Sequence, residues 1–323
     1  MKSIFSFKNV VKISIGIYLL YFLSESSDLY STNYNYFTKG IHSNLLLAIA
    51  LFLLSFLLKL HRLIVVTSII DKDSFKNIQI REFFSLHTLT TIFSLILPFK
   101  LGDFARVYLL RKYVKNYSNA VSIVVFERIV DLFVISGLLI VVGSHYNYLK
   151  ILDGLNMGPR IYFLLFFILC IYILIYSMNF WYKILNKKDL LFLPKTKNFL
   201  ESIFFIIKAI LNCIKKQGLM LFLFSIAIWL FEILAFTSLY LYLDLEPSLI
   251  IFLSILTLLS FILPAGPAGL GSIQLVFFYA YESGLINFNI INDGFFYSIY
   301  VYLPSLLILA ALLSYFTFKK NYE

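Results

Sequence analysis

The chain has 323 residues, of which 61% are hydrophobic, 19% aromatic and only 14% charged, with a mean hydropathy of +0.89. A soluble domain carries about 25% charged residues, so this composition excludes a water-soluble enzyme and indicates a polytopic membrane protein. The net charge of +10 does not indicate a nucleic-acid partner, because the basic residues lie between apolar segments rather than in one soluble domain. Two cysteines and no Cys/His cluster with zinc spacing argue against a structural metal, and we expect no cofactor.

A membrane-spanning helix needs about 20 mostly apolar residues, and we interpret six segments in this way. They are residues 4–23, 45–70, 118–142, 161–178, 219–242 and 295–318. Two further apolar stretches, 83–97 and 249–263, each run into a proline and then glycines, which is not typical of an ordinary span. The predicted fold is an all-α polytopic membrane protein with about six spanning helices, forming a single domain over residues 1–323.

The basic residues predict the orientation, since lysine and arginine accumulate on the cytoplasmic side of a membrane. Of the 27 basic residues, 23 fall in segments that share one side, and Lys59 and Arg62 at the end of the second span are counted among them. Only Lys39, Lys150 and Arg160 fall on the opposite side. Both termini are therefore predicted to be cytoplasmic, in the inner (plasma) membrane. Six spans with both termini on the cytoplasmic side place the stretch 83–97 on the cytoplasmic side and the stretch 249–263 on the outer side. Each would enter and leave from its own side, so they are predicted to be two opposed re-entrant helical hairpins.

Two segments allow more than one interpretation. Residues 4–23 are either an uncleaved signal-anchor or a signal peptide, and the anchor is favoured because no small-x-small cleavage site follows. Residues 195–216 have apolar side chains at helical spacing, with Lys208 and Lys215 on the opposite face. This pattern predicts a cytoplasmic amphipathic helix, either lying on the inner leaflet or packed on its neighbours.

The first informative motif follows the stretch 83–97, where Pro98 and Gly102 interrupt the chain. Broken backbone at membrane depth is tolerated only where it is buried in protein or lines a wet cavity, so we expect this turn, with Lys100, to face a cavity. Asp103 and Arg106 lie three residues apart on the helix that follows. They either pair with each other, or Arg106 offers its planar guanidinium to a lipid phosphate near the positive end of that helix.

The second motif places Glu127, Arg128 and Asp131 in the middle of the third span. Each charge at a bilayer centre costs roughly 2.5–3.5 kcal/mol, so all three must face protein or water. Glu127 and Asp131 share one helix face, and Arg128 is spaced to pair with Asp131. The remaining negative charge predicts an incoming arginine or a protonatable partner. A network that holds helices together and a role in transport are both compatible with this cluster. Glu232 in the fifth span is expected to pair with an arginine or to be a hydrogen-bonded carboxylic acid.

The third motif is a turn rich in proline and glycine after the stretch 249–263. It leaves several backbone groups free to bind polar atoms, and its plainest interpretation is a tight hairpin. Together with the first motif it matches the broken helices that meet at the midplane of inverted-repeat transporters. Its residues are Pro264, Gly266, Pro267, Gly269 and Gly271, followed by Gln274.

In this order and at these intervals, the three motifs resemble the transmembrane flippase region of lysylphosphatidylglycerol synthases (multiple peptide resistance factors) and its stand-alone relatives. The family pattern is a proline, then glycine-acid-x-x-arginine, then glutamate-arginine-x-x-aspartate, then a late proline- and glycine-rich turn. The resemblance covers nearly the whole chain, although Asp103 replaces the usual glutamate and Gln274 stands where a glutamate commonly follows the second turn. It implies lipid translocation or a related lipid-handling role. No polar block of domain size is present for an aminoacyl-transferase, so we expect no lysyl transfer by this chain.

We therefore expect a flippase-like transporter, not an enzyme, for an anionic phospholipid or a polyprenyl-phosphate-linked lipid. No catalytic or metal-binding residue is predicted, and the partner is a membrane lipid, with a homo-oligomer or an envelope-biosynthesis partner left open. Two alternatives remain. A membrane glycosyltransferase using a polyprenyl-phosphate sugar would need outer-surface acids such as Glu25 and Asp28, and an accessory subunit of envelope lipid or polysaccharide biosynthesis would not transport at all. The predicted cavity residues are Lys100, Gly102, Asp103, Arg106, Glu127, Arg128 and Asp131, with the second turn from Pro264 to Gln274.

Overall fold

The computed structural model describes residues 41–75, 79–96, 101–145, 194–262 and 272–287, and parts of 290–312. Every secondary-structure element in these ranges is helical, which confirms the all-α prediction for the described residues. The chain divides into two compact units, Met1–Asn44 and Leu45–Glu323. Most of the first unit lies outside the described residues, as do the predicted spans 4–23 and 161–178, so the following concerns the second unit.

Eight α-helices are numbered here in chain order. Two of them contain segments that are long and apolar enough to cross a membrane, Asn44–Ile70 and Phe205–Leu243. The count of six spans stays a prediction. The elements are α1 Ile41–Ile70, α2 Lys72–Phe75, α3 Ile80–Ile96, α4 Leu101–Leu110, α5 Tyr117–His145, α6 Pro194–Tyr240, a 3-10 turn Leu241–Leu243, α7 Pro247–Ile262 and α8 Ser272–Glu282.

Helix α5 is long enough to span but carries charge in its middle. Its 29 residues extend over roughly 43 Å, against about 30 Å for the hydrocarbon core of a bilayer. Glu127, Arg128 and Asp131 lie near its centre, so its place in the membrane requires partners for these charges.

The two interrupted stretches each form a pair of packed helices. Helix α3 packs against α4, and α7 packs against α8. With 10 and 11 residues, α4 and α8 extend only about 15–17 Å and cannot cross the hydrocarbon core alone. This packing is compatible with the two predicted re-entrant hairpins, but the hairpins themselves and their entry from opposite membrane faces stay predictions. The connecting turns, 97–100 and 263–271, lie outside the described residues.

Helix α6 contains a break at Gln217, whose φ of -142° and ψ of 27° are not helical. The break falls between the predicted amphipathic helix 195–216 and the fifth span. Before it, Ile210 and Cys213 are buried against the core while Lys208 is exposed. This part of the amphipathic helix therefore packs on its neighbours, which was one of the two interpretations that the sequence left open.

The apolar core is built by α1, α3, α4, α5 and α6. Leu63 of α1, Phe83 of α3, Leu110 of α4, Phe126 of α5 and Leu221 of α6 are among its buried members. Lipid chains are as apolar as these side chains, so close packing and polar contacts, rather than exclusion from water, hold such helices together. The polar contacts between helices therefore decide which helices become neighbours.

Asp71 holds the loop between α4 and α5 against the end of α1. Its carboxylate accepts hydrogen bonds from the main-chain N–H of Ser74 at 3.2 Å, the N–H of Lys115 at 2.7 Å and the side-chain amide of Asn119 at 2.8 Å. Burial by itself raises the pKa of this carboxyl, but the donors outweigh burial and hold the pKa below its ordinary value. The resulting stabilisation is present above the ordinary pKa and is lost as the pH falls through the lower folded value.

Helix α4 begins in close contact with α3, and Gly102 makes the contact possible. A Cβ atom at this position would collide with the backbone of Ser94 and lie 2.6 Å from its hydroxyl oxygen. By contrast, a Cβ atom at Gly137 in α5 would meet nothing within 4 Å. The close packing of α4 on α3 therefore requires glycine at this position for space.

We predict that Gly102→Ala destabilises the protein, because the added methyl group must push the two helices apart, at a cost of about 1–3 kcal/mol. The measurement is the Tm of the purified protein in detergent, which should fall by several degrees. Gly137→Ala is the matched control and should leave the Tm unchanged or slightly raised, since alanine favours helix more than glycine does. Equal Tm values for the two variants would show that the α3–α4 contact is not tight.

Candidate functional site

A polar cavity of about 130 Å³ lies where α1, α3, α4, α5, α6 and α7 meet. This volume corresponds to about four molecules of liquid water. Its wall contains four basic side chains, three acidic side chains, a histidine and three hydroxyl groups, with aromatic and leucine side chains completing it. The charged members are Lys59, Arg62, Arg106, Arg128, Glu127, Asp131 and Glu232.

The wall is built from polar residues that recur at helical spacing in otherwise apolar helices. Residues three, four or seven positions apart lie on one helix face. Helix α1 presents Ser55, Lys59 and Arg62 in this way, and α6 presents Ser225, Trp229 and Glu232. Helix α3 presents a third such stripe, formed by His87, Thr90, Thr91 and Ser94.

Arg62 and Asp131 form the best-defined contact of the site. The two terminal nitrogens of Arg62 lie 2.6 and 3.0 Å from the two carboxylate oxygens of Asp131, so the guanidinium is bidentate. The same arginine donates to the Ser225 hydroxyl at 2.7 Å, and the Trp229 ring N–H donates to Asp131 at 3.2 Å. Both charged side chains are buried. This contact joins α1, α5 and α6.

The charges of α4 and α5 pair across the two helices. Asp103 binds Arg128, and Arg106 places its Nη2 atom 2.7 Å from Oε2 of Glu127. Pairing of Asp103 with Arg106 was one of the two alternatives left open, and the structure instead gives each of them a partner of opposite charge on α5. Arg128 also lies 3.8 Å from Asp131, so the pair predicted from their spacing is confirmed as a longer contact. The incoming arginines predicted for this cluster are Arg62 and Arg106.

Lys59 and Glu232 form a second pair in the same wall. The Lys59 ammonium binds the Glu232 carboxylate and lies 5.7 Å from the centre of the Trp229 ring. Glu232 also accepts a hydrogen bond of 2.9 Å from the Ser55 hydroxyl. The sequence left open an arginine partner or a hydrogen-bonded carboxylic acid for Glu232, and the structure gives it a lysine and a hydrogen bond from a serine.

The cavity corrects one part of the sequence analysis. Lys59, Arg62 and Arg106 were all counted with the basic residues of the cytoplasmic side, although Arg106 was also predicted to face a cavity. All three lie in the cavity wall, and the two arginines are buried. Each is close to a carboxylate on another helix, which explains why these cations are tolerated inside. Without these three, 20 basic residues remain on the predicted cytoplasmic side against three on the other, so the predicted orientation does not depend on them.

Four basic and four acidic side chains make up what we call the charge network. Its formal charge is zero, so each buried charge has a nearby opposite charge and the cost of burial is offset. The members are Lys59, Arg62, Arg106, Arg128, Asp103, Glu127, Asp131 and Glu232.

Most predicted cavity residues that the structure describes lie in or beside this network. Gly102, Asp103, Arg106, Glu127, Arg128 and Asp131 come together, whereas Gln274, in the first turn of α8, is not among the described lining residues. Lys100 and the second turn, with Pro264, Gly266, Pro267, Gly269 and Gly271, lie outside the described residues.

The sequence analysis missed Lys59, Arg62 and His87 as wall residues. The periodic polar stripes of α1 and α3 were the pattern that would have identified them. Among the described residues, no group of three or more His, Cys, Asp or Glu side chains is placed to hold a metal ion.

The fold and the cavity define a helical membrane protein with a charge-balanced polar site between its helices. The family model described as lysylphosphatidylglycerol synthase TM region matches residues 9–285. The chain belongs to this family, as its three motifs indicated. Neither a curated protein nor a solved structure matches the chain.

We predict strong energetic coupling between Arg62 and Asp131. Removing one partner of a buried ion pair costs about 3–5 kcal/mol, because the other charge is left unpaired. Arg62→Leu should therefore destabilise the protein more than the double variant Arg62→Leu/Asp131→Leu does. The measurement is the free energy of unfolding in mixed detergent for the two single variants and the double variant.

Arg128 supplies the control cycle. Its contact with Asp131 is longer and its side chain is 35% exposed, so the coupling of Arg128→Leu with Asp131→Leu should be weaker. Additive losses in the Arg62 cycle, or stronger coupling in the Arg128 cycle, would contradict the assignment of Arg62 as the main partner.

Proposed function

We propose that this protein is a flippase-like transporter of the inner (plasma) membrane that moves an anionic phospholipid or a polyprenyl-phosphate-linked lipid between leaflets. Membership in the lysylphosphatidylglycerol synthase TM family indicates a membrane lipid-related function. The transport activity, the phosphate-bearing substrate and the role of the cavity as its binding site are the proposal. The chain acts as a transporter and not as an enzyme.

The proposal rests on one observation: Arg106 is a buried cation whose hydrogen bonds are incomplete. Its side chain is buried, and its Nε atom has no hydrogen-bond partner among the described protein atoms. The Nη2 atom is close to Glu127, but the two groups are not aligned for a hydrogen bond. A buried donor without a partner costs about 1–3 kcal/mol. A phosphate group supplies the oxygens that a guanidinium fork binds best.

The position of Arg106 in the fold suits a lipid headgroup. It lies in the second turn of the short helix α4, which begins at Leu101, and the start of a helix favours anions. The second hairpin contributes apolar side chains to the same wall, Leu258 and Phe261 of α7. A headgroup therefore meets polar residues while its acyl chains stay next to apolar ones.

Entry of a phosphate need not leave Glu127 unpaired. The Nε atom of Arg62 lies 3.7 Å from Oε1 of Glu127 and offers a second cation. A lipid phosphate takes the place of the Glu127 carboxylate at Arg106, and Glu127 is retained by Arg62. Because Glu127 stays in the network, a bound phosphate monoanion takes the formal charge from zero to -1, and this excess of negative charge favours release of the lipid.

The proposed topology allows the site to open to either leaflet. Both termini are cytoplasmic, and the hairpins α3–α4 and α7–α8 enter from opposite faces. Movement of one hairpin against the other then exposes the cavity alternately to each side, as in transporters built from opposed broken helices.

The test is lipid exchange in proteoliposomes, with fluorescent phosphatidylglycerol or phosphatidylcholine and an external quencher. Wild type should exchange the anionic lipid faster than protein-free liposomes do. Arg106→Gln should lose most of this activity, and Arg106→Lys should also lose about tenfold or more, because an ammonium cannot reproduce the bidentate fork. Asp103→Asn should be milder, since Asp103 binds Arg128 rather than Arg106.

Arg111→Gln is the matched control, because this exposed arginine follows α4 and does not line the cavity. It should exchange lipid at the wild-type rate and keep the wild-type Tm. The Arg106 variants lose a contact with Glu127, so the exchange by each variant is measured well below its own Tm. Wild-type exchange no faster than that of empty liposomes, or equal exchange by wild type and Arg106→Gln, would contradict the proposal. The first result would favour the accessory role.

A further inference from the structure

His87 is a buried polar residue of the cavity wall, and none of the ion pairs or hydrogen bonds described above involves its ring. It is 2% exposed, and its ring lies against the Phe56 ring with 4.6 Å between centroids and 32° between planes. The main chain of Phe56 contacts the ring, but the contact lacks hydrogen-bond geometry, so at most one ring nitrogen has even a weak partner among the described residues. The aromatic contact fixes the ring without satisfying its polar atoms.

The other polar residues on the same face of α3 differ from His87 in this respect. The hydroxyls of Thr90 and Thr91 donate to the His87 carbonyl oxygen at 3.0 and 2.8 Å, and the Ser94 hydroxyl donates to the Thr90 carbonyl oxygen at 2.9 Å. They are satisfied within their own helix. The imidazole is therefore the group on α3 that is left to bind something in the cavity.

The surroundings of His87 favour an anion. The charged groups that act on it most strongly are Arg106, Lys59 and Arg62, all cations. The carboxylates of the same wall, those of Glu127, Asp131 and Glu232, are each close to one of these cations. An imidazole carries at least one N–H donor in its neutral form and in its charged form. The complementary ligand is thus an anionic oxygen.

We propose that the His87 imidazole is a second ligand of the lipid phosphate, donating one N–H to a phosphate oxygen while Arg106 binds another. This inference rests on the proposed function and names a further residue of the same site. The two donors come from the two helices of one hairpin, so a tetrahedral phosphate bridges α3 and α4. A lipid without a phosphate group leaves His87 unpaired, which makes this residue a determinant of specificity.

The test is calorimetric titration of the full chain in neutral detergent with dihexanoyl-phosphatidylglycerol, and with dihexanoylglycerol as the probe that lacks phosphate. His87→Phe keeps the aromatic contact and removes the donor, so the phospholipid should bind about tenfold more weakly or worse. His87→Gln keeps an N–H donor and should bind within about threefold of wild type. Binding of dihexanoylglycerol should be the same for all variants.

His61→Phe is the matched control. His61 lies on α1 next to Arg62 but is exposed, with its ring 5.1 Å from that of Phe224, and it does not line the cavity. This variant should bind the phospholipid as wild type does. If His87→Phe does not fold, His87→Met provides the same comparison, because methionine adapts to irregular space and also lacks a donor.

Three outcomes overturn the inference, and they are distinguishable. Wild-type affinity in His87→Phe together with weak binding by Arg106→Gln would remove His87 from the site and leave the proposed function standing. Equal losses in His87→Phe and His87→Gln would show that an N–H donor at this position is not what phosphate binding requires, because His87→Gln keeps a donor. Failure of wild type itself to distinguish the phospholipid from dihexanoylglycerol would overturn both proposals.

Discussion

The bidentate contact between Arg62 and Asp131 is the interaction on which the rest of the core depends. Charges in the middle of α5 would each cost roughly 2.5–3.5 kcal/mol in lipid, and only a partner from another helix removes that cost. Arg62 brings α1 to α5, and its bond to Ser225 adds α6. Since apolar packing in a bilayer does not strongly prefer one neighbour over another, this polar contact selects the arrangement of the three long helices.

The contact between Arg62 and Asp131 also determines which charged side chains of α5 are available to α4. With Asp131 bound to Arg62, Glu127 is left for Arg106 and Arg128 is left for Asp103, so both charges of α4 are directed toward α5. Gly102 lets α4 lie close enough to α3 for this to happen. The cation with the least complete set of hydrogen bonds is therefore the one on the interrupted helix. The arrangement of α4 against α5 thus accounts both for the ion pairs that hold the helices together and for the cation proposed to bind phosphate.

Local patterns in the sequence predicted the all-α fold, the interruption of two apolar stretches, the boundary near Gln217 and the need of the α5 cluster for an arginine or a protonatable partner. Lys59 and Arg62 were misassigned, because a basic residue near the end of a span looks the same whether it enters a loop or meets a carboxylate. Their partners lie 173 and 69 residues away in the chain, which local spacing does not reveal. His87 was missed for a related reason. A single histidine forms no spacing pattern with other residues, and it matters because other helices place cations around it.

The most direct test of the central claim is a cryo-electron microscopy structure of the protein in nanodiscs that contain phosphatidylglycerol. The account predicts a phosphate in the cavity, bound between Arg106 and α3, with the Glu127 carboxylate displaced toward Arg62. A cavity in which Arg106 still contacts Glu127, with phosphates only at the membrane surface, would contradict it. That result would leave the charge network as a purely structural device.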